Sequence, residues 1–222
     1  MAKQKLVLFD IDYTLFDTAV YREQLFPALL QHLRVDNAKA KEILQDIYYS
    51  HRKHVGHFDL AIIIEELIEA LALEADAEEV FQEFLYAEQT YAPALYEEAK
   101  DTLQKLSELK DLRIGIFSGG RTDHQLQKIN SLEKFFHKEH VHIFLVKEKE
   151  IEKVMKKYVN YQLFLVDDVL DILHNAKKAN PDVTTVWSKR GRLAERVKEI
   201  PGFTPDYTIT NLEEVVKILK KY

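Results

Sequence analysis

Five short apolar segments, 6–9, 112–117, 141–146, 163–166 and 183–187, are rich in Val, Ile, Leu and Phe and show little polar alternation. Strands that read this way are buried on both faces, as in a parallel sheet covered by helices above and below. Helical patterns at 96–109, 122–132, 148–158 and 170–179 separate the later segments. Strands and helices alternating at this spacing imply βαβ units. The expected fold is therefore α/β, a Rossmann-like parallel sheet with helices on both faces. A last helix is expected within 211–219, with Asn211 as its N-cap and Glu213 and Glu214 in its first turn.

One interval breaks the alternation. Between the first apolar segment and residue 112 the pattern is helical at 20–33, 38–49, 60–73 and 77–91, too long for one crossover. Breaks fall at 35–37, 56–59 and 74–76, where Gly56 and several Asp and Asn residues interrupt the periodicity. This reads as a four-helix insertion joined to the sheet by linkers at 16–18 and 91–95. The expected organisation is a core of residues 1–16 and 95–222 with an inserted cap domain of residues 17–94.

Several functional classes are disfavoured by composition. Of the 222 residues 46% are hydrophobic and 31% charged, near globular averages, so a core can form. The net charge is −6 with acids and bases interleaved, and no basic stripe suggests nucleic acid as a partner. There is no cysteine, which removes disulfides, thiolate metal sites and thiol nucleophiles. No apolar run approaches the roughly 18 to 20 residues that cross a bilayer. Asp10 and Asp12 interrupt what would otherwise be a leader-like apolar start. The expectation is a cytoplasmic protein without a membrane partner, monomeric or weakly homodimeric.

The chemistry is concentrated at strand ends. Asp10 and Asp12 follow the first apolar segment directly, at i and i+2, where extended chain points both side chains to one face. The carboxyl end of a parallel strand opens into the crevice where such sheets bind ligands. A second pair, Asp167 and Asp168, follows the segment 163–166, with Asp171 behind it. If the two strands are neighbours, four carboxylates converge, and their repulsion raises pKa values or calls for a cation. An all-oxygen donor set suits Mg²⁺.

These residues resemble the motifs of the haloacid dehalogenase superfamily. Asp10-Ile11-Asp12-Tyr13-Thr14 matches the first motif, DxDxT; Ser118 and Gly119 after the second core strand match the next. Lys147, or Lys149 two residues on, matches the third motif, and Asp167-Asp168 the fourth. The resemblance implies that Asp10 is a nucleophile forming an aspartyl-phosphate and that Asp12 is the general acid and base. It implies that Thr14 holds the turn and, with Ser118, Gly119 and the helix starting at Thr122, binds phosphoryl oxygens. Lys147 would neutralise charge, and Mg²⁺ would be held by Asp10, the Asp12 carbonyl and Asp168 or Asp167. Tyr13 stands where many relatives have Gly. The dehalogenases of the superfamily lack the second carboxylate, so Asp12 favours phosphate chemistry.

The position of the insertion resembles the helical caps of phosphoglycolate phosphatases, β-phosphoglucomutases and some nucleotidases. By that likeness Tyr49, Arg52, Lys53 and His54, and Phe58 beyond them, are candidate contacts to a small phosphorylated metabolite. The histidines at 51, 54 and 57 and at 137, 140 and 142 read as surface residues rather than metal ligands. The helix carrying Gln125 and Lys128 resembles the second-motif helix of nucleotidase-like phosphatases. The expected activity is Mg²⁺-dependent hydrolysis of a phosphomonoester. The alternatives are a β-phosphoglucomutase-like phosphomutase and a non-catalytic binding module on the same scaffold.

Overall fold

The computed structural model describes residues 3–55, 59–190 and 199–222, with 51–55 and 88–89 described as helix backbone only. Six strands form one parallel sheet: β1 (Lys5–Phe9), β2 (Leu112–Gly119), β3 (Val141–Phe144), β4 (Gln162–Asp167), β5 (Thr184–Ser188) and β6 (Tyr207–Ile209). Their order is β3-β2-β1-β4-β5-β6. β1 is thus central, and the chain runs outward from it in both directions. Such a reversal leaves a crevice beyond the carboxyl ends of the flanking strands, here those of β1, β2 and β4.

Strand side chains alternate between faces, and the core divides accordingly. Val7, Phe9, Ile114, Ile116, Phe164 and Val166 face one side, with α6 (Ala99–Ser107) and α10 (Glu213–Leu219). Leu6, Leu8, Phe117, Leu163 and Leu165 face the other, with α8 (Ile151–Lys157) and α9 (Leu170–Ala179). The expected sandwich of sheet between helices is present. Asn211 does accept from the Glu213 N–H, at 2.8 Å, and the Glu214 carboxylate reaches back to the N–H groups of Thr210 and Asn211.

The insertion between β1 and β2 holds α1 (Thr18–His32), α2 (Ala38–Val55), α3 (Leu60–Ala70), α4 (Ala77–Leu85) and the single turn α5 (Glu88–Tyr91). The expected fourth helix is interrupted at Tyr86 and Ala87. The segments entering and leaving the insertion are tied together: Asp17 N–H donates to Ala94 at 2.6 Å, Tyr96 N–H to Leu15 at 3.1 Å, and Phe16 pairs antiparallel with Leu95. A buried contact also joins it to α7 (Thr122–Lys128), where the Tyr21 hydroxyl meets His124 Nε2 at 3.0 Å. Tyr91 stacks on Tyr21 with ring centres 5.1 Å apart.

Two sequence expectations change. The helix expected over 122–132 ends at Lys128 and continues as 3₁₀ turns from Asn130 to Phe135. β6, three residues on the sheet edge with Thr208 exposed, lacks the apolar run by which the other strands are recognised. Among the described residues no helix is long and apolar enough to cross a membrane.

Gly115 sits where β2 meets the turn at Lys138–His140. A Cβ there would lie 2.4 Å from the His140 carbonyl oxygen and 2.8 Å from a Leu8 methyl. Gly115→Ala is expected to lower unfolding stability by about 1–3 kcal/mol, the usual range for overpacking. An unchanged urea midpoint would show that this contact is not tight.

Candidate active site

The first acidic pair lies in a turn that β1 projects into the crevice. Asp10 is still held by the sheet, its N–H donating to Val166 at 2.9 Å. The chain then curls so that the N–H groups of Thr14, Leu15 and Phe16 all donate to the Ile11 carbonyl. Tyr13 takes φ +55°, the left-handed region that favours glycine, at a cost of about 1–2 kcal/mol. Its carbonyl accepts from Ser188 at the end of β5, and its ring is buried, which supports the strained turn. Thr14 is fully buried beneath the turn, its hydroxyl without a hydrogen-bond partner among the described residues.

Asp10 meets the second pair around one cation. Lys147, buried at the start of a 3₁₀ turn after β3, donates to Asp10 at 2.8 Å and to Asp167 at 2.7 Å. Oxygens of Asp10, Asp167 and Asp168 lie within 4.8 Å of one another. Three carboxylates therefore share one ammonium, leaving an excess of negative charge out of water. Burial pushes the Asp10 carboxyl up, Lys147 opposes it, and Asp12 adds to the rise. Burial, opposed by Lys147 and reinforced by Asp10, pushes Asp167 up to about 7. Asp168 is held well above the usual range by burial, then by its two carboxylate neighbours. For Lys147 burial works against the charge, but Asp10, Asp167 and Asp168 more than restore it and raise its pKa.

The two members of the second pair differ in their partners. One Asp167 oxygen accepts from Lys147 and the other from the Val169 N–H at 2.9 Å. Both are committed to holding the lysine and the start of α9. Asp168 is half-buried, with its carbonyl fixed by the Trp187 indole N–H at 2.9 Å. This arrangement favours Asp168 over Asp167 as the group presented to a cation. Lys149 is exposed, so Lys147 is the lysine in the crevice; Asp171 is exposed as well.

Asp12 belongs to a separate system. Lys128 Nζ donates to both its oxygens, at 2.7 and 3.0 Å, and Gln125 Nε2 to one, at 2.9 Å. The Thr18 hydroxyl donates to it as well. Burial alone would raise the Asp12 pKa, but the Lys128 charge and these hydrogen bonds carry it down to about 2. Neither Gln125, Lys128 nor Thr18 was assigned a role from sequence. The signal available was the i, i+3 spacing of Gln125 and Lys128, which places both on one face of α7.

Ser118 lies near the end of β2, fully buried, accepting from Gln125 Nε2 at 2.9 Å and favouring the ionised form of Asp10. Gly119 follows, with the Lys147 side chain packed over it: a Cβ there would meet Lys147 Cγ at 3.4 Å. At the α7 N-terminus expected beside the phosphate, Asp123 accepts from the His124 N–H and from Arg121. In the insertion Tyr49 is 63% exposed; Arg52, Lys53 and His54 are described only as helix backbone, and Phe58 lies outside the described residues. His140, expected at the surface, is buried and bonded to the Tyr158 hydroxyl, which His142 also meets.

The raised carboxylates set a pH dependence. Asp167 in the native state, near 7, holds a proton that the unfolded chain, near about 3.9, has lost. Its contribution to stability is complete below about pH 4 and lost as pH rises through about 7. Asp10 and Asp168 act in the same direction. Asp12 has the opposite sign, contributing above about pH 4 and losing that contribution as pH falls towards 2. Without divalent metal, urea stability is expected to fall between about pH 5 and pH 7, and Asp167→Asn to flatten that slope. An identical slope in the variant would contradict this reading.

A family model for haloacid dehalogenase-like hydrolases matches residues 4–166. A protein of Burkholderia xenovorans LB400 described as haloacid dehalogenase-like has a similar structure, with TM-score 0.74 at 22% identity over 99% of this chain and 98% of that one. The HAD-hydrolase YfnB of Bacillus subtilis, solved bound to magnesium, gives 0.64 at 18% identity over 98% and 99%. L-2-haloacid dehalogenase of Xanthobacter autotrophicus, solved with chloropropionic acid covalently bound, gives 0.61 at 16% over 99% of both. No curated protein sequence matches the chain significantly. At these identities the structural likeness carries the fold alone, and it is the sequence match, running from before β1 into β4, that makes this protein a member of the haloacid dehalogenase-like hydrolase family.

Proposed function

We propose that the protein is a Mg²⁺-dependent phosphatase that hydrolyses a small phosphomonoester through an aspartyl-phosphate at Asp10. The observation that carries this reading is the presence of two carboxylates with separate surroundings, Asp10 beside Lys147 and Asp12 beside Lys128. Halide leaves carbon without needing a proton, whereas phosphoryl transfer from an alcohol leaving group needs a proton donor and then a base for water. Asp12 is the residue that suits this second task.

In the first half-reaction an Asp10 oxygen attacks phosphorus, the bond to the leaving oxygen breaks, and Asp12 delivers a proton to that oxygen. Resting Asp12 is ionised, so the proton must enter with the substrate. A phosphomonoester monoanion carries one, its second pKa being near about 6. In the second half-reaction Asp12 takes a proton from water, which attacks phosphorus and releases phosphate and free Asp10. Lys147 opposes the rise in the Asp10 pKa and offsets the charge of the incoming group, while the Ser118 hydroxyl and the backbone at Gly119 border the position of the phosphoryl oxygens.

The all-carboxylate donor set of Asp10 and Asp168, with Asp167 behind, fits a hard divalent cation. When bound, Mg²⁺ supplies positive charge between nucleophile and phosphate, which would otherwise repel each other. The magnesium reported with YfnB supports this assignment. The helical insertion acts as the cap in this reading, with Tyr49, Arg52, Lys53 and His54 as candidate substrate contacts.

Asp10→Asn is expected to lower Mg²⁺-dependent phosphate release from a phosphomonoester panel by at least about a thousandfold. Asp168→Asn is expected to weaken Mg²⁺ binding in calorimetry. Halide release from 2-haloacids with no phosphate release from the panel would overturn the proposal.

A further inference from the structure

The carboxylate of Asp12 is held by more donors than any solvated aspartate needs. Lys128 is the main one: its side chain is 1% exposed, and its ammonium grips both Asp12 oxygens. A buried ammonium is stable only when paired, so Lys128 and Asp12 fix each other. Its charge also lies 5.5 Å from the Phe16 ring centre.

Gln125, also buried, extends this pair to the nucleophile. Its Nε2 donates one hydrogen to Asp12 and the other to Ser118, each at 2.9 Å. The carboxylate can only accept, so the amide nitrogen has to face it. Ser118 then accepts from Gln125 and stands beside Asp10, whose ionised form it favours. A chain of hydrogen bonds runs Lys128, Asp12, Gln125, Ser118, and Ser118 adjoins Asp10. It links the two carboxylates of the first strand end through α7, an element outside the acidic loops.

Resting on the phosphatase reading, we infer that Lys128 and Gln125 are positioning residues that hold the Asp12 carboxylate in line with the leaving oxygen relative to Asp10. Neither side chain touches phosphorus or the leaving group. Their effect is geometric, and a misplacement of about 1 Å can cost roughly a hundredfold in rate.

A positioning role makes a demand that a structural role does not. Proton delivery matters most when the leaving group is a poor one, so misplaced Asp12 should harm an alkyl ester more than an aryl ester. Lys128→Met keeps the apolar stem and removes the charge. With Mg²⁺, it is expected to lower kcat on glycerol phosphate at least about tenfold more than on p-nitrophenyl phosphate, with KM for both within about threefold of wild type. Gln125→Leu, which keeps the ammonium, is expected to show the same substrate bias at smaller size, and serves if Lys128→Met does not fold. Equal losses on the two esters, or a loss confined to KM, would overturn the inference. Crystal structures of the variants supply an arm independent of turnover. They are expected to show the Asp12 carboxylate rotated from its place with Asp10 and Lys147 unmoved, and an unmoved Asp12 overturns the inference. Wild-type protein inactive on both esters and on the phosphomonoester panel would defeat the phosphatase reading, and the crystallographic arm would still decide the positioning.

Discussion

The buried ammonium of Lys147, held between Asp10 and Asp167, is the interaction on which the rest of the crevice depends. Three carboxylates within 4.8 Å of one another cannot all be ionised out of water without compensation. One lysine meets part of that demand and leaves the remainder. The fold supplies the constraint: β1 and β4 are adjacent and in register, so Asp10 and Asp167 end side by side, and β3 brings Lys147 across the end of β2. Removing the lysine would strand buried charge, a change that typically costs about 3–5 kcal/mol. The same excess negative charge that burdens the folded protein is what a divalent cation would relieve.

Against this cluster Asp12 stands apart although it is only two residues from Asp10. The tight turn at Tyr13 directs it towards α7 and the first residue of α1, where Lys128, Gln125 and Thr18 receive it. Two carboxylates on one short loop thus meet opposite environments, one with its pKa raised and the other with its pKa lowered to about 2. Pairs of titratable groups pushed apart in this way mark a division of chemical labour. The tied linkers at Asp17–Ala94 and Leu15–Tyr96 lie directly beside this turn, which puts the insertion in mechanical contact with Asp12 rather than with Lys147.

Strand ends were the legible part of this protein in sequence. A strand buried on both faces advertises itself by composition, and the residue that follows it is delivered to the crevice, so Asp10, Ser118, Lys147 and Asp167 could be placed from their positions after apolar runs. β6 escaped because an edge strand of three residues needs no apolar run. The split of the fourth insertion helix escaped because Tyr86 and Ala87 carry no breaker; Phe84 and Tyr91 on either side of it are buried. Lys128, Gln125 and His124 were hidden for a different reason. They look like ordinary polar residues of a surface helix, and only the tertiary approach of α7 to the Asp12 turn buries them. Which of Asp167 and Asp168 faces a cation also depended on hydrogen bonds, to Lys147 and the Val169 N–H, that no spacing encodes.

The central claim is that Asp10 attacks phosphorus. Borohydride added during steady-state turnover of a phosphomonoester reduces an acyl phosphate to an alcohol, and peptide mass spectrometry then locates the reduced residue. Reduction is expected at Asp10, dependent on substrate and Mg²⁺ and absent in Asp10→Asn. Rapid phosphate release with an unmodified Asp10, or reduction at another carboxylate, would contradict it.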